Sequence, residues 1–107
     1  MRRGEVWWVA FDPSVGGEIQ KTRPAVIVSN DSANISLNRL QVIAISSQVD
    51  RVYAAEALVK LNGQARKAMA DQLTTVSKLR VGGKAGELSD ADMANVDRII
   101  KFQLGLP

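Results

Sequence analysis

The chain has 107 residues, of which 46% are hydrophobic and 23% are charged, and these values suit one folded domain rather than a disordered segment. It contains no cysteine and no histidine, which excludes disulfides, makes a zinc site improbable and removes the usual general acid and base near neutral pH. The net charge of +3 is a mild bias towards anionic partners.

The first half of the chain predicts three strands. The segment GEVWWVAF (residues 4–11) is rich in β-branched and aromatic residues, and it ends at the turn signal DPSVGG. PAVIVS (24–29) is a continuous apolar run of strand length. The polar segment that follows predicts one helical turn capped by Asn30 or Asp31. LQVIAISS (40–47) is the third strand and ends in two hydroxyl side chains.

The second half predicts shorter strands and then a helix. EALVKL (56–61) alternates and is followed by the turn signal NGQ, while KAMADQLTTVSKL (67–79) predicts one or two short strands and GGKAGE (82–87) a loop. In SDADMANVDRIIKFQLG (89–105), Ser89 is the predicted N-cap and Gly105 the end. Apolar residues recur there at helical spacing: Met93, Val96, Ile99, Ile100 and Leu104.

These elements predict a mainly β (α+β) fold. Strands this close together leave no room for the crossover helices of a parallel sheet. We therefore expect a single domain over residues 1–107, built as a small antiparallel barrel or curled sheet of five or more strands with a C-terminal helix.

Arg23 is the first candidate for chemistry. It precedes Pro24, and proline biases the preceding residue towards extended backbone, so the guanidinium is held at the start of a strand. A guanidinium is planar, permanently charged and suited to bidentate contact with phosphate. The alternative is a surface ion pair with the nearby Glu18.

Two further features have both a functional and a structural interpretation. Ser46 and Ser47 end an otherwise apolar strand, where their hydroxyls can donate to a phosphate oxygen or stabilise a turn. Trp7 and Trp8 are adjacent on a strand and point to opposite faces, so at most one can stack on a base, and packing in the core or a dimer is the favoured interpretation for both.

Other sequence signals are absent. There is no Walker A loop, no G-x-G-x-x-G and no G-x-S-x-G, and the scattered carboxylates Asp12, Glu18 and Asp71 have no metal-site spacing. No apolar run reaches the roughly 18 residues that a membrane span needs, and the N-terminus has no apolar signal region. We expect a cytoplasmic protein without metal or cofactor.

The blocks MRRGEVWWVAFDP, a glycine-rich loop with Glu18, RPAVIVSND, a strand ending SSQ, and ADQL follow one another in an order and spacing that resembles the MazF/PemK (Kid) toxins of bacterial toxin–antitoxin pairs. The resemblance covers essentially the whole chain. It implies an SH3-like barrel that acts as a homodimer. It also implies a metal-independent endoribonuclease (an mRNA interferase) that cuts single-stranded RNA at short motifs and inhibits translation and growth.

The resemblance also implies the chemistry and the partner. The ribose 2′-hydroxyl attacks the adjacent phosphorus, leaving a 2′,3′-cyclic phosphate and a 5′-hydroxyl. Arg23 matches the family's central arginine, Ser46 its hydroxyl residue and Glu18 its loop acid, and these three are the expected catalytic residues. A cognate MazE-like antitoxin with an acidic extended tail is the expected protein partner.

The sequence departs from the family's pattern at several positions. The hydroxyl residue is usually threonine, and serine lacks the methyl that restricts χ1. In the Kid-like members a histidine, an arginine and an aspartate are assigned to catalysis, and the matching residues here are Gly17, Met69 and Asp71. Position in flanking loops makes six residues candidates for RNA contact: Gln20, Lys21, Thr22, Ser47, Gln48 and Asp71.

Two other functions are compatible with the sequence. A CcdB-like gyrase poison would have a similar fold, but it acts through C-terminal residues and would not need Arg23. An inactive homologue would bind RNA without cutting it.

Overall fold

The computed structural model describes residues 1–11, 16–17 and 21–107. Within these ranges the chain forms seven strands, two α-helices and two 3₁₀ turns, the turns lying at Ala70–Gln72 and Lys78–Arg80. The strands are β1 (Glu5–Phe11), β2 (Lys21–Ile27), β3 (Arg39–Ser46), β4 (Glu56–Leu61), β5 (Gln64–Met69), β6 (Thr74–Ser77) and β7 (Val81–Glu87). The helices are α1 (Asp31–Ser36) and α2 (Asp90–Leu104).

The strands form one antiparallel sheet in the order β4-β5-β3-β2-β1-β7, with β6 paired to β3. The predicted mainly β class, antiparallel pairing and C-terminal helix are confirmed. Of the two predicted forms, a small barrel or a curled sheet, the structure has the open, curled sheet, because no ladder joins β4 to β7 in the described part of the chain. These edges meet at the tip of the β4–β5 hairpin, where the Asn62 amide donates to the Ala85 carbonyl at 2.9 Å, so side chains rather than a strand ladder connect them.

Both faces of the sheet are covered by apolar clusters. The larger cluster contains Val6, Val26, Ile43 and Val59 and packs against α2, which contributes Met93, Val96 and Ile99. The second cluster lies on the opposite face and contains Val9, Ala25, Ile27, Leu40, Val42 and Val76, with Trp7, Phe11 and Val81 packed against it. The alternation along β1 therefore places Val6 in one cluster and Trp7 and Val9 in the other.

The helix ends follow the predicted capping residues. Asn30 caps α1 by accepting from the Ala33 N–H, and Ser89 caps α2 by accepting from the Asp92 N–H. At the other end of α2, Gly105 adopts a left-handed backbone with φ of 69°, a conformation that glycine reaches without steric cost. The NGQ hairpin is also confirmed, with positive φ at Asn62 (52°) and Gly63 (79°).

The prediction of a loop at GGKAGE is wrong, because these residues belong to β7. Glycine is depleted in strands, so these residues carry no local signal for one. The segment is nevertheless paired with the free edge of β1, and the pairing contains register shifts between Val6 and Trp7 and between Trp7 and Val9. Backbone pairing to a neighbouring strand has overridden local propensity.

Gly86 is closely surrounded by two neighbouring side chains. A Cβ at this position would lie 2.8 Å from Leu61 Cδ1 and 3.0 Å from Asn62 Oδ1, whereas a Cβ at Gly83 on the same strand would meet nothing within 4 Å. We expect Gly86→Ala to lower the free energy of unfolding by about 1–3 kcal/mol through overpacking, and Gly83→Ala to have little effect. Urea unfolding of both variants tests this, and equal losses would contradict it.

Candidate active site

The two strongest sequence candidates, Arg23 and Ser46, lie on adjacent strands. The β2–β3 ladder pairs Ala25 with Ala44, Val26 with Ile43 and Ile27 with Val42. Continued by two residues, this register places Arg23 opposite Ser46. Directly opposed residues of an antiparallel pair project from the same face of the sheet. By this extended register, the half-buried Arg23 and the buried Ser46 lie at one end of one face.

The row continues onto the two neighbouring strands, β5 and β1. Ser46 pairs with Lys67 in the β3–β5 ladder, and Val9 pairs with Arg23 in the β1–β2 ladder. The row is therefore apolar at Val9 and polar from Arg23 to Lys67. Basic residues stand on both sides of the hydroxyl in this row, and the guanidinium of Arg23 together with the hydroxyl suits an anionic group such as a phosphate.

Ser46 is held in place by its own turn. Its side chain is buried, with a residue exposure of 8%, and its Oγ accepts from the Gln48 N–H at 3.1 Å. The predicted turn-stabilising role is thus confirmed. A hydroxyl has two acceptor lone pairs and one donor, so this bond leaves the O–H able to donate elsewhere. The turn thus fixes the oxygen while Ser47 and Gln48 stay exposed beside it.

Lys67 is a buried cation that sequence analysis did not single out. Its residue exposure is 8%, and Nζ donates to the Arg51 carbonyl at 2.9 Å and to Glu56 Oε1 at 3.0 Å. Glu56 Oε1 also accepts from the Tyr53 N–H at 2.9 Å. Lys67 and Glu56 therefore anchor the segment 47–55 to the sheet beside Ser46. The sequence of β5, QARKAM, does not alternate and carries no signal for this role, and lysine in a strand usually faces solvent.

The remaining predicted residues are distributed around this row. Lys21 and Thr22 are exposed at the start of β2, and Lys21 has a positive φ of 69°, which is uncommon for a residue with a Cβ. Asp71 is exposed in the 3₁₀ turn, whose neighbouring Gln72 donates to the Gly17 carbonyl at 3.0 Å and so ties the turn to the β1–β2 connection. The predicted Glu18 and Gln20 lie outside the described residues.

The two tryptophans differ in exposure. Trp7 packs against the second apolar cluster, and its indole N–H donates to Glu5 Oε1 at 3.0 Å. Trp8 lies on the other face and is 45% exposed. Core packing is therefore confirmed for Trp7 alone, and the described chain leaves Trp8 partly accessible.

A charged cleft lies at the opposite end of β1 from Arg23. It has a volume of about 420 Å³ and is lined by Arg2, Arg3, Gly4, Glu5, Asp31, Glu87, Leu88, Asp90 and Met93. Bonds from the Arg2 N–H, the Trp7 indole and Lys84 outweigh burial and lower the pKa of Glu5 to about 2. Acidic and basic groups alternate here, and no row of donors like that at Ser46 forms.

The lowered pKa makes Glu5 a source of pH-dependent stability. Because the folded pKa is below the ordinary value of 4.5, its stabilising contribution is present above that pH and is lost as the pH falls towards 2. We expect Glu5→Gln to lower stability at pH 7 and to make the loss of stability between these pH values shallower. Glu87→Gln, which also removes a carboxylate that accepts from Lys84 but is 62% exposed, is expected to do less. Thermal unfolding at a series of pH values measures both, and an unchanged pH profile in Glu5→Gln would contradict this assignment.

Across residues 1–11, 16–17 and 21–107, no three His, Cys, Asp or Glu side chains are grouped as a metal ion would need. No helix in the same part of the chain has the length and hydropathy to cross a membrane.

The model of the PemK-like, MazF-like toxins of type II toxin–antitoxin systems matches residues 2–104. The chain is 36% identical over 115 residues to endoribonuclease MazF9 of Mycobacterium tuberculosis, covering 99% of this chain and 98% of that relative. It is 29% identical over 111 residues to endoribonuclease EndoA of Bacillus subtilis, covering 99% and 96%.

Solved structures show the same fold. MazF of Deinococcus radiodurans superposes with a TM-score of 0.87 at 22% identity, over 99% of this chain and 97% of that one. A mycobacterial endoribonuclease in complex with its cognate antitoxin superposes with a TM-score of 0.84 at 21% identity, over 100% and 97%. By the family match and the full-length similarity to MazF9, the chain belongs to the PemK-like, MazF-like toxins of type II toxin–antitoxin systems.

Proposed function

We propose that this toxin is an endoribonuclease that cleaves single-stranded RNA, including messenger RNA, at short sequence motifs without a metal ion. One observation carries the proposal: the register of β2 and β3, when continued two residues beyond its last pair, sets a guanidinium opposite a buried, oriented hydroxyl on one sheet face. The relatives named endoribonuclease MazF9 and EndoA support the same reaction class. Cleavage of messenger RNA would inhibit translation and growth.

The reaction suits a chain that contains neither histidine nor cysteine. RNA carries its own nucleophile, so the 2′-hydroxyl oxygen attacks the adjacent phosphorus and the bond from phosphorus to the 5′-oxygen breaks. The products are a 2′,3′-cyclic phosphate and a 5′-hydroxyl. The protein then has to orient the RNA backbone and stabilise the additional negative charge on the pentacovalent phosphorus.

Arg23 and Ser46 have complementary roles in this proposal. The guanidinium donates to the phosphate oxygens as their charge increases, and it can supply the proton that the leaving 5′-oxygen takes up. The Ser46 hydroxyl, oriented by the Gln48 N–H, donates to a second phosphate oxygen. Glu18 is the proposed base for the 2′-hydroxyl or a partner that orients Arg23. Thr22, Lys21, Gln20, Ser47, Gln48 and Asp71 are the proposed RNA contacts.

We further propose that the active form is a cytoplasmic homodimer held in check by a cognate MazE-like antitoxin. An acidic antitoxin tail would cover Arg23 and compete with RNA for the same cationic groups. The solved complex of a mycobacterial endoribonuclease with its antitoxin, whose toxin shares this fold, supports a partner of this kind.

Cleavage in the presence of EDTA tests the function. Purified protein is incubated with a long single-stranded RNA, the cut sites are mapped and both product ends are identified. Cuts at a recurring short motif, with cyclic phosphate and 5′-hydroxyl ends, are the expected result. A requirement for a metal ion, or products with 5′-phosphate ends, would overturn the mechanism. Absence of cutting by folded protein would favour the gyrase poison or the inactive RNA binder, which gyrase inhibition and RNA binding assays then separate.

The Ser46 hydroxyl has its own test. We expect Ser46→Ala to lower kcat by about 10- to 100-fold, because one donor to the phosphate is lost, and Ser46→Thr to retain activity because it keeps the hydroxyl. Single-turnover cleavage of the mapped RNA measures the rates. Ser47→Ala provides the comparison, and a larger loss there than in Ser46→Ala would move the role to the exposed neighbour.

A further inference from the structure

Tyr53 and Arg51 form an exposed aromatic and cationic surface beside the proposed catalytic row. Tyr53 is 59% exposed, and the Arg51 guanidinium carbon lies 5.9 Å from the centre of its ring. Arg51 is also exposed, and its guanidinium lies 3.4 Å from the Tyr53 hydroxyl. An accessible aromatic ring next to an arginine is the combination that binds a base and its neighbouring phosphate in single-stranded nucleic acids.

The backbone under this surface is held on several sides. The Tyr53 N–H donates to Glu56 Oε1 and the Glu56 N–H donates to the Tyr53 carbonyl, both at 2.9 Å. Lys67 Nζ donates to the Arg51 carbonyl and lies 5.8 Å from the centre of the Tyr53 ring. The Ala70 N–H donates to the Ala55 carbonyl at 2.9 Å, where the segment returns to the sheet. A ring held this way loses little conformational entropy when a base stacks on it.

The same lysine places the surface close to Ser46. Lys67 and Ser46 are paired residues of β5 and β3, so their Cα atoms lie about 5 Å apart and their side chains leave the same face. Lys67 Nζ donates to the Arg51 carbonyl and lies 5.8 Å from the centre of the Tyr53 ring, so the surface lies beside the residue that is paired with Ser46. That is the region that the nucleotides flanking the scissile phosphate must occupy.

We propose that Tyr53 stacks on one unpaired base that flanks the scissile phosphate, and that Arg51 contacts a phosphate next to that base. The inference rests on the proposed function and assigns the substrate a base-binding subsite. Stacking recognises the flat face that every base has, so this subsite contributes affinity and registration of the strand rather than a strict choice of base.

The experiment uses an RNA oligonucleotide centred on the mapped cut site, with a 2′-deoxy nucleotide at the point of attack so that it binds without being cleaved. Affinity is measured by fluorescence anisotropy for wild type, Tyr53→Ala, Tyr53→Phe and Phe102→Ala. Phe102 is the matched control, because it is an aromatic residue with 60% exposure located on α2. Each protein is also measured on oligonucleotides that carry a single abasic nucleotide at successive positions.

We expect Tyr53→Ala to weaken binding about tenfold, the equivalent of one stacked base, and Tyr53→Phe and Phe102→Ala to bind like wild type. One abasic position should weaken wild type to a similar extent and have no further effect on Tyr53→Ala. We expect Arg51→Gln to reduce the slope of log affinity against log salt concentration by about 0.7, the loss of one phosphate contact on a single strand.

The opposite results separate the two proposals. If wild type cleaves RNA but Tyr53→Ala binds it normally, or if every abasic substitution adds to the effect of Tyr53→Ala, the stacking subsite is wrong and the proposed function stands. A loss of antitoxin binding in Tyr53→Ala with RNA affinity unchanged would assign the surface to a protein partner and also overturn the inference. If wild type neither binds nor cleaves single-stranded RNA, the proposed function itself fails.

Discussion

Replacing Arg23 by alanine is expected to lower the rate of RNA cleavage by about two to three orders of magnitude, the usual effect of removing one preorganised donor to a developing oxyanion. The guanidinium is permanently charged and can donate two parallel hydrogen bonds to a phosphate. Its position at the end of β2, opposite Ser46 when the ladder is continued, directs that charge to a single location. Without the guanidinium, the negative charge that is added at the pentacovalent phosphorus would lose its main counter-charge.

Arg23→Lys distinguishes geometry from charge. A lysine keeps the positive charge but presents a compact ammonium group instead of a planar fork. We expect this variant to recover RNA affinity and only a small part of the rate, because the two-point contact with phosphate is lost. Single-turnover cleavage together with binding of the 2′-deoxy oligonucleotide separates the rate from the affinity.

Arg39→Ala is the matched control for charge. Arg39 is an exposed arginine at the opposite end of β3 from Ser46, and its guanidinium donates to Asn38 Oδ1 at 3.2 Å. The change in net charge equals that in Arg23→Ala, so any general weakening of RNA attraction affects both variants. Equal losses of cleavage in the two variants would mean that Arg23 acts only as part of a cationic surface, and the catalytic assignment would be wrong.

The fold was largely accessible from local patterns. β-Branched and aromatic content located β1, apolar runs located β2 and β3, and alternation with the N-G turn located β4, which has the bounds predicted for it. Helical spacing and the Ser89 cap located α2. The strand β7 was missed because its formation depends on pairing with β1, and its glycines carry no strand preference of their own. The open form of the sheet also depends on contacts between residues that are distant in sequence. In the described part of the chain, the Asn62 and Leu61 side chains make the contact between the two edges, and no strand ladder joins them.

In the candidate site, too, some residues could be identified from local sequence patterns and others could not. Arg23 and Ser46 could be selected from sequence because the Arg-Pro step and the hydroxyls at the end of an apolar strand are local signals. Lys67 and Glu56 could not, because their roles come from the pairing of β5 with β3 and β4, and each looks locally like an ordinary surface charge. Tyr53 and Arg51 were missed for the same reason, since their positions depend on this buried pair.

The largest effect on stability is expected at this pair. The Lys67 and Glu56 side chains are each 10% exposed and form an ion pair at 3.0 Å. Lys67→Met would leave the Glu56 carboxylate without its counter-charge and the Arg51 carbonyl without its donor. We expect a loss of about 3 kcal/mol in the free energy of unfolding, the lower end of the range for breaking a buried ion pair. Urea unfolding at one fixed protein concentration measures this loss, because the stability of the proposed homodimer would depend on concentration.

Two comparisons make the Lys67 prediction specific. Lys84 also pairs with two carboxylates, Glu5 at 3.2 Å and Glu87 at 2.7 Å, but its side chain is 40% exposed, so Lys84→Met is expected to lose much less. The double variant Lys67→Met/Glu56→Gln should recover part of the loss, because glutamine removes the buried charge and keeps an acceptor for the Tyr53 N–H. Losses of equal size in Lys67→Met and Lys84→Met would contradict a buried pair.

If the pair anchors the segment 47–55, Lys67→Met should also weaken RNA binding under conditions where the protein remains folded. The sheet would keep Arg23 and Ser46 in position, whereas Arg51 and Tyr53 would no longer be held in theirs.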